Sequence, residues 1–338
     1  MQPQTYLLDL PAEDAARLIA LELLADIRET RRRLEGAGDP EALHDLRVAV
    51  RRLRTCLRNH RPELRRWISR GASRRLRAIA RASRESRDLE VQLAWLGAQE
   101  PGLSPRPRHG VHWMRQRLEE RKREADRGFR ELLGREFERA VTSLDQQLRR
   151  SRSALELDSG RLRRAAAVAG PRILRLSGNL ERALARVRSV RDIDQAHRAR
   201  IDAKRLRYLL EPIEPSIEGA KEVVEQLTAM QDGLGDLHDS DLFLQVLAGS
   251  GGDAPIAARP GLSLLDRQLR ARAGQAFARV EADWLGGAAE EFFRRVARLP
   301  TAITARATAS TPLGRNIPSS AGSARRRRFK ASPAYGSE

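Results

Sequence analysis

One cysteine in 338 residues excludes an intramolecular disulfide, so no framework of covalent bridges holds this chain together. That residue, Cys56, falls beside an apolar row and is expected to pack as a small core side chain in a reducing interior rather than to act as a reactive thiol. Aromatics make up only 4% of the chain, and Trp67, Trp95, Trp113 and Trp284 are scattered, which suits core anchors better than a base-stacking platform. Runs of β-branched residues are missing, which argues against sheets. No apolar segment approaches the roughly 18 residues that a membrane helix needs. No basic segment followed by an apolar run opens the chain, so no signal peptide is expected. The expectation is a soluble, cytoplasmic protein with no membrane partner. Lysine is scarce as well: of 64 basic residues only Lys122, Lys204, Lys221 and Lys330 are lysines. A GC-rich coding sequence would also favour arginine, so the placement of the arginines, not their number, has to carry the argument.

What the chain has in abundance is positive charge and helix formers. A formal charge of +19 and a pI near 11.3 point to a polyanionic partner. Ala, Leu, Arg, Glu and Gln dominate, so the predicted fold is all-α. After a lead-in over 1–10, helices are expected from Pro11 to Leu34, from Pro40 (capped by Asp39) to about Asn59, and from Pro62 to Ala98 with a break near Gly71. Pro101–Gly110 reads as a loop, followed by a long helix from Val111 to Leu155 that could re-enter at Gly134. The pattern then restarts, with helices over about 160–190, 192–211, 217–248 and 262–298. That gives eight helices in two sets of four, the halves being 11–155 and 156–299. From 300 to 338 the composition reads as a disordered tail, and its seven basic residues against one acid place +6 of the +19 there.

Two stretches organise the rest. In the first, His44, Arg47, Arg51 and Arg54 step by three, four and three residues; in the second, His197, Arg200, Lys204 and Arg207 do the same. Such steps place four side chains on one helical face. One position earlier runs an apolar stripe, Leu43, Leu46, Val50, Leu53 and Leu57, echoed by Ala196, Ala199, Ala203, Leu206 and Leu210. The basic row is thus rotated only about 100° from the buried face and is expected to line the shoulder of a groove. The offset between the stretches is 153 residues, and Arg87-Asp88-Leu89-Glu90-Val91 matches His238-Asp239-Ser240-Asp241-Leu242 at an offset of 151 from Asp88 to Asp239. Two motifs in the same order at nearly constant offset imply an internal duplication: two four-helix bundles related by an approximate two-fold, with a basic groove between them.

These motifs resemble the CHAD domain, the conserved histidine α-helical domain. The resemblance rests on H-x2-R-x3-R-x2-R at His44, RD-x2-V at Arg87, H-x2-R-x3-K-x2-R-Y at His197 and the segment Met230–Asp239, and it spans about residues 5–298. It implies a pair of four-helix bundles whose basic inner surface binds inorganic polyphosphate, some members locating to polyphosphate granules. It carries that role onto His44, Arg47, Arg51, Arg54, His197, Arg200, Lys204 and Arg207, with no cofactor. Ser83-Arg84 departs from the family's usual Leu-Gly and adds a charge. Many relatives carry a triphosphate-tunnel domain ahead of this one, but no E-x-E-x-K element occurs here and that enzyme is expected to be missing.

On the residues themselves, the rows read as a cradle whose members stand roughly 4.5–6 Å apart along the helix. Like charges so placed cost about 0.2–0.5 kcal/mol per pair, and the rows hold no acid to offset this. The bland alternative is a solvated face, or pairing with acids on neighbouring helices. Arg58, Arg77, Arg81 and Arg84 could widen the wall, although a solvated face explains them equally well. His44 and His197 read as donors or as structural histidines, and no spacing makes them metal ligands. His109 and His112 form a lone H-x2-H on an expected surface loop. Asp88, Asp232, Asp236 and Asp239 read as salt-bridge or cap partners, since no glycine-rich phosphate loop accompanies them. The reading is a binding protein rather than an enzyme. Nucleic acid would be held only without sequence preference, for want of stacking residues and any reading motif.

Overall fold

The computed structural model describes residues 7–35, 41–150 and 163–309. Among them are ten α-helices and no strand: α1 Ala12–Glu35, α2 Ala42–Asn59, α3 Arg61–Leu64, α4 Arg70–Gln99, α5 Pro105–Arg149, α6 Ala165–Leu184, α7 Ile193–Leu210, α8 Ala220–Ser250, α9 Arg259–Trp284 and α10 Glu290–Ala309. The all-α class follows from the sequence pattern. α1 carries Glu13 and Asp14 in its first turn and Arg32 and Arg33 in its last, in keeping with the helix dipole. α4 starts where Ser69 Oγ accepts the amide of Ala72 at 3.1 Å. The cap expected at Asp39 and Pro40 lies outside the described residues.

Several boundaries differ from the sequence reading. The break expected near Gly71 falls earlier, between α3 and α4, and Gly71 itself is helical. α5 begins inside the proline segment, at Pro105, because proline is tolerated in a first helical turn, and it runs past Gly134 without interruption. With 45 residues α5 is about 68 Å long, and packing against α4, α1 and α9 along this length overrides a single glycine. The expected last helix is two, α9 and α10, separated by a 3-10 turn at Gly286–Ala289 whose Gly286 has φ +58°. α10 then continues through Pro300 to Ala309, where a tail was expected. Ile303 is buried, and Pro300 lies 3.2 Å from the point a Cβ on Gly170 of α6 would occupy, so packing on α6 holds this turn.

The core is one continuous apolar body, not one core per half. Leu24, Ile27, Leu46, Leu53, Phe129 and Phe137 from the first half join Leu180, Leu206, Leu227, Met230, Leu237 and Val296 from the second. A smaller cluster joins the far ends of α4, α5, α8 and α9 through Leu89, Leu96, Met114, Phe243, Leu247 and Leu265. The tryptophans brace its edges, all half-buried: Trp95 meets Phe243 edge-on at 5.5 Å and Trp284 meets Phe292 at 6.0 Å. Cys56 is buried, and burial pushes its thiol up to about 12, which keeps it protonated and inert.

The 153-residue spacing reappears in the backbone. α1 and α6 open at Ala12 and Ala165. Ala12 N–H donates to Arg163 O at 2.9 Å, and Ala165 N–H donates to Leu10 O at 2.8 Å, so each helix start bonds the other by the same rule. At the opposite end, the starts of α5 and α9 touch at Gly110 and Gly261, which are 151 residues apart. A Cβ on Gly110 would stand 2.7 Å from Gly261 Cα, and one on Gly261 would stand 2.6 Å from Gly110 Cα. No residue but glycine fits either position.

Candidate functional site

α2 and α7 cross in the middle of the molecule, and each turns the same two stripes the same way. Leu46, Val50 and Leu53 are buried on α2, with Leu43 and Leu57 at the margin; on α7 Ala196, Ala199, Ala203, Leu206 and Leu210 are all buried. The basic row stands at the shoulder of each stripe.

Its members do not share one fate. Arg47, 9% exposed, donates from Nη1 to Glu90 Oε2 at 2.9 Å and from Nη2 to Ser86 Oγ at 2.7 Å. Ser86 bonds on to Asp126, which also takes Lys122 Nζ at 2.6 Å. Arg207 donates to Thr228 Oγ1 at 3.0 Å, lies 3.6 Å from Glu211 and rests 4.9 Å from the centre of the Tyr208 ring. Both were read from sequence as phosphate donors. In the structure Arg47 is paired with Glu90 and Ser86 of α4, and Arg207 with Thr228 of α8 and with Glu211 at the end of its own helix.

The middle members remain. Arg51 and Arg54 are exposed, Arg200 and Lys204 half-buried, and among the described residues none has a carboxylate within 4.0 Å. Arg200 lies along α8, its Nε and Nη2 each 3.5 Å from where a Gly235 Cβ would be, and the buried Nε has no partner. Burial holds Lys204 well below the ordinary lysine range, and the charges of Arg200, Arg51 and Arg207 push the same way. Arg51 of α2 thus lies within electrostatic reach of Arg200 and Lys204 of α7.

α4 adds the third wall. Arg54 is lowered first by burial and then by Arg84, Arg77, Arg58 and Arg81, which places it against the exposed α4 arginines. Ser83-Arg84 sits inside the helix, Ser83 buried, so the departure from the family pattern changes no turn. The matching position in the second half is Leu234-Gly235, 151 residues on. Arg84 therefore contributes a guanidinium where its counterpart contributes none. Arg87 pairs with Glu90 at 3.4 Å.

His44 and His197 both open onto this surface and are half-buried. Burial lowers each, with Arg87 and Arg51 adding to it at His44, and Arg200, Arg84 and Lys204 at His197. His197 also faces His238 of α8, ring centres 4.5 Å apart, and the Nδ1 of each is buried without a partner. Burial and then Arg200 push His238 down to about 3. These imidazoles are neutral at neutral pH and present N–H donors rather than charge. His238 was not singled out from sequence, although it stands beside Asp239 in the second repeated motif.

The acids divide as well. Asp236 takes Arg272 and Arg279, each at 3.0 Å, as a salt-bridge partner should. Asp88, Asp232 and Asp239 make no ion pair within 4.0 Å among the described residues, contrary to the sequence reading. Burial raises all three. Asp88 rises to about 6, by burial first and then by the charge of Asp239, against Arg84, Arg200 and Arg87. A cavity of about 850 Å³ opens beside this point between α4, α5 and α8, lined in part by Arg81, Arg84, Asp88, Arg117 and Arg121. His109 and His112 lie exposed on α5, not on a loop, and among the described residues no three His, Cys, Asp or Glu come together to hold a metal. No helix among those residues is long and apolar enough to cross a membrane.

The chain is similar in fold to the crystal structure of the CHAD domain from the plant Ricinus communis, with a TM-score of 0.64 and 21% identity over 80% of this chain and 90% of that one. No curated protein matches it. The sequence pattern of the CHAD domain matches residues 18–248, more than half of the chain, and with the paired histidine helices in place this chain belongs to the CHAD domain family.

Proposed function

We propose that the chain is a duplicated pair of helical units whose central groove binds inorganic polyphosphate without turning it over. One observation carries the reading: Arg51 of α2 lies within electrostatic reach of Arg200 and Lys204 of α7, Arg54 stands among the α4 arginines, and among the described residues none of the four has a carboxylate within 4.0 Å. Cations gathered in this way repel one another, Arg200 being balanced only at longer range by Asp239 and Asp88, and an anion that pairs with several at once relieves that repulsion. The reciprocal bonds of Ala12 and Ala165 and the Gly110–Gly261 crossing support the two-fold arrangement. The family is associated with polyphosphate binding, which supports the choice of ligand. Recruitment to polyphosphate granules in the cytoplasm extends the same reading.

Replacing Arg51 and Lys204 together by Glu is expected to weaken long-chain polyphosphate binding by more than about a hundredfold, each lost charge-assisted contact counting for about 1.5–3 kcal/mol. Helical content by circular dichroism should stay near wild type. Unchanged affinity with intact helices would remove the groove reading. Polyphosphate should also displace single-stranded DNA at equal phosphate concentration; the reverse order favours a nucleic-acid binder. Incubation with Mg²⁺ should leave chain length unaltered, and shortening on a gel would make the protein an enzyme.

A further inference from the structure

The two ends of the α2–α7 crossing differ in charge balance. At one end Arg52 of α2 meets Glu211 at 3.4 Å. Shifted by 153 residues, Arg52 becomes Arg205 and Glu211 becomes Arg58. Those two do face one another at the other end. Asn59 Nδ2 donates to Arg205 O at 2.9 Å and fixes the end of α2 over α7. Burial lowers Arg58 first, the charge of Arg205 adds to this and that of Asp202 opposes it. Asp202 is already taken by Arg205 at 2.7 Å. Where one end has an ion pair, the other has a guanidinium left over.

Behind Arg58 and Arg205 a cavity of about 320 Å³ opens between α6 and α7, with Arg182, Arg186 and Arg198 in its lining. All three are exposed, and among the described residues none has a carboxylate within 4.0 Å. The counterparts of Arg182 and Arg198 are Glu29 and Asp45, and that of Asn179 is Asp26. On the α1–α2 flank the corresponding acids hold arginines in ion pairs: Asp45 with Arg33 at 2.6 Å, Glu29 with Arg32, and Glu211 with Arg52 at 3.4 Å and Arg207 at 3.6 Å. The α6–α7 flank holds Arg182, Arg186, Arg198 and Arg205 against Asp202, with Arg58 of α2 beside Arg205. Arg54 links its side to the groove, since Arg84 and Arg58 are both among the charges acting on it.

We infer that the α6–α7 flank, entered through Arg58 and continued by Arg205, Arg198, Arg182 and Arg186, is a second phosphate subsite that leads a long chain of linked phosphates out of the groove on one side only. This rests on the groove binding polyphosphate. The α1–α2 arginines are held in their ion pairs, whereas the exposed Arg198, Arg182 and Arg186 attract phosphate over a Debye length of about 8–10 Å at physiological salt, so a strand leaving the groove is drawn to the α6–α7 flank. A ligand short enough to stay in the groove never reaches the arginines beyond Arg58.

The test titrates tripolyphosphate and long-chain polyphosphate against wild type, R182E/R198D and R51E/K204E across a salt series. R182E/R198D gives the basic flank the residues of its counterpart, and because both side chains are exposed the melting temperature should hold. It is expected to bind long chains about tenfold more weakly with a shallower salt slope, and tripolyphosphate as wild type does. If long-chain affinity is unchanged while R51E/K204E weakens both ligands, the subsite falls and the groove stands. Equal loss for both ligands in R182E/R198D, at an unaltered melting temperature, also overturns the one-sided exit. If R51E/K204E changes neither ligand, the groove itself is wrong and the exit falls with it.

Discussion

Asp88 would give the proposed groove a response to pH. Its carboxyl is raised from 3.8 to about 6 because it is buried near Asp239, with Arg84 and Arg200 only partly opposing. The folded chain therefore holds a proton there that the unfolded chain has lost, and this group's contribution to stability falls as pH rises from about 3.8 to about 6. The same sign governs binding: a phosphate chain beside Asp88 favours the neutral carboxyl, so binding draws in a proton. Affinity for polyphosphate is expected to rise as pH falls from about 7 to about 5, and Asp88→Asn should tighten binding at neutral pH and flatten that dependence. Titration calorimetry in buffers of different ionisation heat would show the proton uptake; an Asp88→Asn variant with an unaltered pH profile would refute it. His44 and His197, lowered by burial, would gain charge only at more acidic pH and leave a smaller residual slope. The acid motif was legible in the sequence, but its role was not. Four similar aspartates read alike until the structure gives two arginines to Asp236 and no ion pair to Asp88.

At the scale of elements, the α5–α9 crossing is the strictest contact in the fold. A Cβ on Gly110 would stand 2.2 Å from Ala258 O, and backbone cannot yield as a flexible side chain does. Gly110→Ala is expected to destabilise the protein by at least about 1–3 kcal/mol, the usual cost of overpacking. Gly134→Ala, where nothing lies within 4 Å, should stabilise by about 0.5–1 kcal/mol. Thermal melts of the pair would separate the two; equal behaviour would show the crossing to be loose. In the sequence these glycines look the same. Helix existence could be read from apolar periodicity, whereas boundaries at 65–69, 105 and 286–289 were set by what each helix packs against. α10 shows this most clearly, since Pro300 and its low-complexity neighbours stay helical because Ile303 is buried and Pro300 abuts α6.

For the whole molecule, the charge of +19 sets the salt response, but its distribution sets where a ligand lies. Removing residues beyond Ala309 deletes six basic residues that lie outside the described part. Tripolyphosphate affinity should then stay within about twofold, since the groove is untouched, while the long-chain salt slope falls. A large loss for tripolyphosphate would assign binding to those residues. By itself the sequence determined the helical class, the two basic rows and their 153-residue repeat, because periodicity and spacing are properties of a single helix and are written locally. Only the tertiary structure decided which cations are free. Arg47 and Arg207 are indistinguishable from Arg51 and Lys204 in their rows, and what separates them is Glu90 on α4, forty-three residues from Arg47, and Thr228 on α8, twenty-one residues from Arg207. Charge neutralisation depends on distance in space, and helix crossings set that distance.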